Sequence, residues 1–208
     1  MNTAPMVQTS ANQFEAASTS LPGLVILKPR VFGDERGFFL ESYNERALAE
    51  LGISERFVQD NHSCSQRNVL RGLHYQIRHT QGKLVRVISG EILDVAVDLR
   101  CSSPTFGKWE SARLSGENKR MLWVPPGFAH GFYVTSDHAH VLYKATDYYS
   151  PEDELTLVWN DPELNINWEL EGEPIVSLRD QRGITLRDAE TFELRTERPR
   201  STTYRSCG

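Results

Sequence analysis

The chain has 208 residues, 39% of them apolar and 25% charged, with a formal net charge of −5, which suits one well-cored globular domain and is too short for two comfortable ones. The acidic balance argues against nucleic acid as a partner, because backbone binding needs a broad basic surface; a small anionic ligand needs only two or three local Arg or Lys side chains. No run of about eighteen apolar residues occurs, so no membrane span is expected.

Residues 1–20 (MNTAPMVQTSANQFEAASTS) are poor in apolar content and predict a disordered N-terminal tail. They lack the basic and apolar regions of a signal peptide. A short apolar run at Leu24–Leu27 and an aromatic-rich one at Gly37–Tyr43 follow. A helix is predicted at Glu45–Leu51, with Asn44 to cap it, Ala47, Leu48 and Leu51 as its apolar face, and Gly52 to end it. Strands are then predicted at Arg56–Val58, Val69–Gln76, Lys83–Ile88, Ile92–Leu99, Trp109–Leu114, Arg120–Val124, Phe132–Thr135, His140–Asp147 and Leu155–Trp159. Leu93, Val95, Val97 and Leu99 alternate with Ile92, Asp94, Ala96 and Asp98, the period of a strand with one drier face. Ser89-Gly90 fits a tight hairpin turn. Many short strands without helical crossovers mean a sandwich or barrel rather than a parallel α/β fold. The domain is expected to span 21–194, with a flexible C-terminal tail over 195–208 (RTERPRSTTYRSCG). Cys64, Cys101 and Cys207 are scattered with no CxxC or zinc-like spacing, which points to structural thiols in a reducing compartment, the cytoplasm by default.

Chemistry-bearing residues converge on a few strings. Asn68–Gln76 (NVLRGLHYQ) sets Arg71 and His74 beside Gly72 in an apolar strand, a costly placement unless each meets a partner or ligand. For His74 alone a satisfied core or surface residue is the simpler reading. Lys83 opens a strand after Gln81-Gly82, and alone it reads as a solvated lysine. Tyr143 and Lys144 interrupt an apolar run, and Tyr143 alone fits a core aromatic. His130 follows the rigid Pro125-Pro126 turn, where a structural role and ligand contact are equally good accounts. A metal-binding cupin requires a His-x-His pair, and here that place holds His74-Tyr75-Gln76, so no metal is expected. Neither GxGxxG, a P-loop nor GxSxG occurs. What remains is acid–base chemistry by His, Tyr, Lys and carboxylates.

The strings FGDERGFFLESYN (32–44), FVQDNHS (57–63), NVLRGLHYQ (68–76), QGKLVRV (81–87), GEILDVAVDLR (90–100), SPTFGKW (103–109), SGENKRMLWVPPGFAHGF (115–132), LYKATDYYSP (142–151) and WNDPELNINW (159–168) resemble, in order, the dTDP-4-dehydrorhamnose 3,5-epimerase family. The resemblance runs from about Leu24 to Asp180. It implies an all-β, cupin-like jelly-roll barrel with a few short helices. It also implies a homodimer and a cofactor-independent conversion of dTDP-4-dehydro-6-deoxy-D-glucose to dTDP-4-dehydro-L-rhamnose, toward dTDP-L-rhamnose. Carried over by position, it makes His74 the base, Asp180 its carboxylate partner, Tyr143 the acid on the opposite face and Lys83 the group beside the C4 carbonyl oxygen. It gives Arg36, Glu41, Gln59, Asn61, Arg71, His130 and Tyr149 as substrate contacts, with Tyr149 stacking on thymine. Glu154 and Arg179 complete the set, Arg179 standing where the family pattern has Lys. Arg36 is expected to reach the neighbouring subunit's site. The readings that compete with this are a relative inverting only C3 or C5, a non-catalytic sugar-binding cupin and a metal-dependent cupin oxygenase.

Overall fold

The structure, a computed structural model, describes residues 6–8 and 13–193. Its strands in chain order are β1 (Met6–Gln8), β2 (Phe14–Ser18), β3 (Val25–Pro29), β4 (Val31–Asp34), β5 (Gly37–Leu40), β6 (Gln59–Gln66), β7 (Val69–Gln76), β8 (Lys83–Ser89), β9 (Glu91–Asp98), β10 (Trp109–Ser115), β11 (Met121–Val124), β12 (Phe128–Val134), β13 (His138–Ala145), β14 (Glu154–Thr156) and β15 (Ile175–Val176). Two short α-helices, α1 (Glu45–Glu50) and α2 (Leu178–Gln181), and a 3-10 turn at Leu186–Asp188 complete them. Among the described residues one sheet runs β1-β2-β3-β11-β8-β13-β6 and a second runs β10-β9-β12-β7-β14, with β15 parallel to β7; β4 and β5 pair separately as a hairpin. Every pairing but that of β15 is antiparallel. This is the cupin-like jelly roll.

Side-chain alternation divides the core into three layers. Ile92 and Ala96 of β9 join Val85, Leu122, Phe132 and Val141 between the sheets. Leu93, Val95, Val97 and Leu99 point the other way and pack under Leu157, Leu164, Trp168 and Phe192 of the C-terminal segment. Both faces of β9 are therefore dry, not one. On the far side of the first sheet, Ala47 and Leu48 of α1 cover Leu27, Leu84, Met121 and Trp123. Asn44 caps α1, its Oδ1 accepting from the Ala47 N–H at 3.1 Å.

Several expectations are corrected. Residues 6–8 and 14–18 of the expected N-terminal tail form β1 and β2, with Phe14 buried. Residues 1–5 and 9–12 and the expected tail at 195–208 lie outside the described residues. Gly37–Tyr43 is one arm of a hairpin that ends at Leu40. The strand expected at Arg56–Val58 instead begins at Gln59 and runs to Gln66. Its sequence, QDNHSCSQ, has no apolar face to betray it, because the inward positions Gln59, Asn61, Ser63 and Ser65 are polar, the first three lining a polar pocket, while the alternate positions face solvent. The strand expected at Leu155–Trp159 is three residues, Glu154–Thr156. Cys64 is a free, exposed thiol, and Cys207 lies outside the described residues.

Candidate active site

A cavity of about 360 Å³ opens between the two sheets. His74 and His130 sit on its β7–β12 wall and Tyr143 and Lys83 on the β13–β8 wall. The β7 and β12 backbones meet there at two glycines. A Cβ on Gly72 would stand 2.6 Å from the Gly131 Cα, and one on Gly131 would stand 2.6 Å from the Arg71 carbonyl oxygen. Gly72 also has φ +112°, a region that L side chains rarely adopt. This contact brings His74 opposite His130 in the ladder.

His74 Nε2 lies 2.6 Å from Asp180 Oδ1, with the histidine side chain 29% exposed and the aspartate 4%. An ionised carboxylate only accepts, so Nε2 carries a proton, and in the neutral ring the lone pair is on Nδ1. Asp180 arrives on α2, which Ser177 caps, and its Oδ2 accepts from the Gly72 N–H at 3.3 Å. Burial pushes the Asp180 carboxyl up, but the His74 hydrogen bond and charge, with Gly72 and Ser177, outweigh it and hold the group below the usual carboxylate range. Asp180 stays ionised.

Lys83 reaches in from the first residue of β8, its Nζ 3.5 Å from the His74 carbonyl oxygen and 5.9 Å from the Tyr143 ring centroid. Burial pulls its ammonium down to about 8, against the opposing pull of Glu154 and Asp94. Burial also raises the Tyr143 hydroxyl, which Glu154 reinforces, so it remains a protonated donor at neutral pH.

The outer part of the cavity is polar and linked. Gln59 donates to Asn61 Oδ1 at 3.0 Å and accepts from the Tyr149 N–H at 3.0 Å. The Tyr149 hydroxyl donates to Glu154 Oε2 at 2.6 Å, and Arg179 pairs with that oxygen at 2.5 Å. Arg71 is steadied by Ser65, its Nε donating to Oγ at 3.0 Å. Tyr149 is 48% exposed and presents a ring at the mouth.

Two expected contacts, Arg36 and Glu41, are not brought to this cavity within one chain. Arg36 lies on the exposed β4–β5 hairpin, paired with Asp34. Glu41 follows β5, its Oε1 accepting from Asn44 Nδ2 at 3.1 Å. Asp94 went unrecognised in the sequence. It is fully buried behind His130, with Oδ1 2.7 Å from Nε2, and its signal was an acid at an inward position of an apolar strand, between Ile92 and Ala96. Ser63, Gln81 and Phe132 also line the cavity. Among the described residues no group of three or more His, Cys, Asp or Glu side chains is placed to hold a metal ion.

Comparison with known proteins adds an independent line. The family described as dTDP-4-dehydrorhamnose 3,5-epimerase matches residues 18–188. A dTDP-4-dehydrorhamnose 3,5-epimerase of Pseudomonas aeruginosa is 58% identical over 179 residues, covering 86% of this chain and 99% of the relative. The crystal structure of a dTDP-6-deoxy-D-glucose-3,5-epimerase from Legionella pneumophila, in complex with dTDP-4-keto-L-rhamnose, superposes with a TM-score of 0.83 at 52% identity, covering 85% of this chain and 95% of that one. A 3'-monoepimerase from Streptomyces bikiniensis in complex with dTDP-quinovose is more distant, with a TM-score of 0.76 at 31% identity, covering 81% and 86%.

Proposed function

The chain belongs to the dTDP-4-dehydrorhamnose 3,5-epimerase family, and from that premise we propose that its cavity inverts C3 and C5 of dTDP-4-dehydro-6-deoxy-D-glucose to give dTDP-4-dehydro-L-rhamnose. The carrying observation is the His74–Asp180 pair on one wall of a cavity whose other wall holds Lys83 and Tyr143. The identities favour the double inversion over a single one, since the 3,5-epimerases stand at 37–58% and the monoepimerase at 31%.

A ketone α-proton is roughly ten pKa units less acidic than imidazolium, a gap on the order of 14 kcal/mol at about 1.36 kcal/mol per unit. Imidazole alone cannot close it. His74 Nδ1 takes the proton while Asp180 stabilises the imidazolium. The Lys83 ammonium, already stripped of water, meets the charge that builds on the C4 oxygen as the enolate forms. Tyr143 gives a proton to the opposite face of the enolate, which inverts the carbon. Repetition at the second α-carbon completes the reaction. Arg71 supplies a charge-assisted donor for the diphosphate, and Tyr149, held by Glu154 and Arg179, offers its ring to the thymine.

The dimer is part of the same proposal. Phe32, Phe38 and Phe39 on the β4–β5 hairpin are 43%, 59% and 70% exposed, an apolar patch that suits an interface. Swung onto a second copy, the hairpin would carry Arg36 to that copy's site. We place the enzyme in the cytoplasm, where nucleotide-linked sugars and their makers meet. The test of the reaction is incubation with dTDP-4-dehydro-6-deoxyglucose in deuterated water, with deuterium located by NMR. Label at both C3 and C5 is the expected result; label at one carbon supports the single inversion, and label at neither overturns the proposal.

A further inference from the structure

A second His–Asp pair stands beside the first, and its cost calls for a reason. Asp94 occupies an inward position of β9 between Ile92 and Ala96, both in the apolar layer between the sheets. It is 0% exposed; Oδ1 meets His130 Nε2 at 2.7 Å and Oδ2 has no hydrogen-bond partner. A carboxylate buried with one oxygen unpaired is destabilising, and an apolar side chain would serve the packing of this strand better. His130 faces His74 across the β7–β12 ladder, where directly opposed side chains put their Cβ atoms about 4.5–5.5 Å apart. Both imidazoles line the cavity, and both have Nε2 committed to a carboxylate. Because a carboxylate only accepts, Nε2 carries the proton in each neutral ring and Nδ1 is left as the acceptor.

Resting on the epimerase reading above, we propose that Asp94 is a positioning residue: it fixes His130 in the tautomer whose Nδ1 accepts a hydrogen bond, so that His130 seats the sugar hydroxyl beside the ketone while His74 faces the neighbouring C–H. A 4-keto-6-deoxy hexose has no hydroxyl at C4 or C6, and C5 carries the ring oxygen. The hydroxyl flanking the ketone is therefore the one on C3. Two adjacent imidazole lone pairs distinguish a ring that offers C–H and O–H side by side from one that lacks the hydroxyl. A site built to pair a hydroxyl rejects the analogue without it strongly. The structure thereby assigns to Asp94 a part in choosing which ring and which face His74 meets.

The tautomer can be read in the unmutated protein by long-range proton–nitrogen spectra of histidine labelled with nitrogen-15, with His130→Gln identifying the signal. The Nε2–H form is expected; an Nδ1–H form or an imidazolium at neutral pH overturns the proposal without any Asp94 variant. Asp94→Asn can offer an N–H to Nε2 and so invert the tautomer, as a carboxamide does in place of a triad carboxylate. That variant should raise KM by about 10–100-fold, the usual cost of an orienting partner, with a smaller change in kcat. In a His130→Ala background the same change should cost less than about twofold, because its route is gone. A full loss there would instead assign Asp94 to the charge balance of Lys83 and sink the positioning role. If the parent protein exchanges no deuterium, the epimerase reading fails, and the tautomer spectrum still reports on the Asp94–His130 pair by itself.

Discussion

Lys83 shows how one residue ties function to stability with opposite signs. In the proposed mechanism its ammonium meets the enolate, yet burial lowers its pKa from the ordinary 10.5 to about 8. Between those values the unfolded chain binds the extra proton and the folded chain does not. Stability should therefore rise with pH from 8 to 10.5 on this account, by on the order of 3 kcal/mol, the full cost being present below pH 8. Activity should run the other way, with an alkaline limb near pH 8 in the deuterium-exchange rate. Lys83→Met should remove that limb and slow exchange by at least about 10²–10³-fold. In urea titrations at pH 7 it should leave the fold more stable, since replacing a buried charge by an apolar side chain often stabilises by about 1–4 kcal/mol. An unchanged exchange rate would remove Lys83 from the mechanism. Tyr143→Phe should separate the half-reactions. His74 can return a proton to the face it came from, so deuterium should still wash in with the original configuration retained, while inverted product falls. Inversion at the parental rate would mean that another group or water is the acid.

At the scale of elements, the site depends on how closely β7 and β12 approach. Gly72 and Gly131 leave no room for a Cβ, and the partners it would strike are backbone atoms that cannot swing aside. Gly72→Ala should destabilise by at least about 2 kcal/mol, combining a disfavoured φ with forced separation of the strands. Its exchange rate should fall even under conditions where circular dichroism shows it folded, because separating the strands moves His74 relative to Asp180. A folded, fully active Gly72→Ala would show that the close approach is not what sets the site. β6 carries the complementary lesson. Its residues were legible as a functional string but not as a strand, since a strand polar on the ligand side and polar on the solvent side has no hydrophobic period to detect.

The whole molecule places its parts by wrapping. The C-terminal segment crosses the outside of the second sheet, buries Trp168 and Phe192 against β9's outer face, and delivers Asp180 to a histidine 106 positions earlier. The β4–β5 hairpin, by contrast, turns its phenylalanines and Arg36 outward. Light scattering at micromolar concentration should give the mass of two chains. Phe39→Asp, a charge placed in the apolar patch, should shift it toward one chain and raise KM together with Arg36→Ala. A monomeric parent enzyme with full activity would remove the shared site.

The sequence by itself determined the fold class, most strands, the capped helix and the string of residues around His74, Lys83 and Tyr143, because alternation, turn residues and local motifs act over a few positions. The family resemblance already paired Asp180 with His74 and sent Arg36 to a second subunit; the folded chain alone shows that Asp94 stands behind His130, that a distant helix delivers Asp180, and that Glu41 lies away from its own chain's cavity. Those placements depend on which strands pair and which segments cross over, and on the solvent lost when they do. A buried carboxylate and an exposed one are the same letter until the sheets close around one of them.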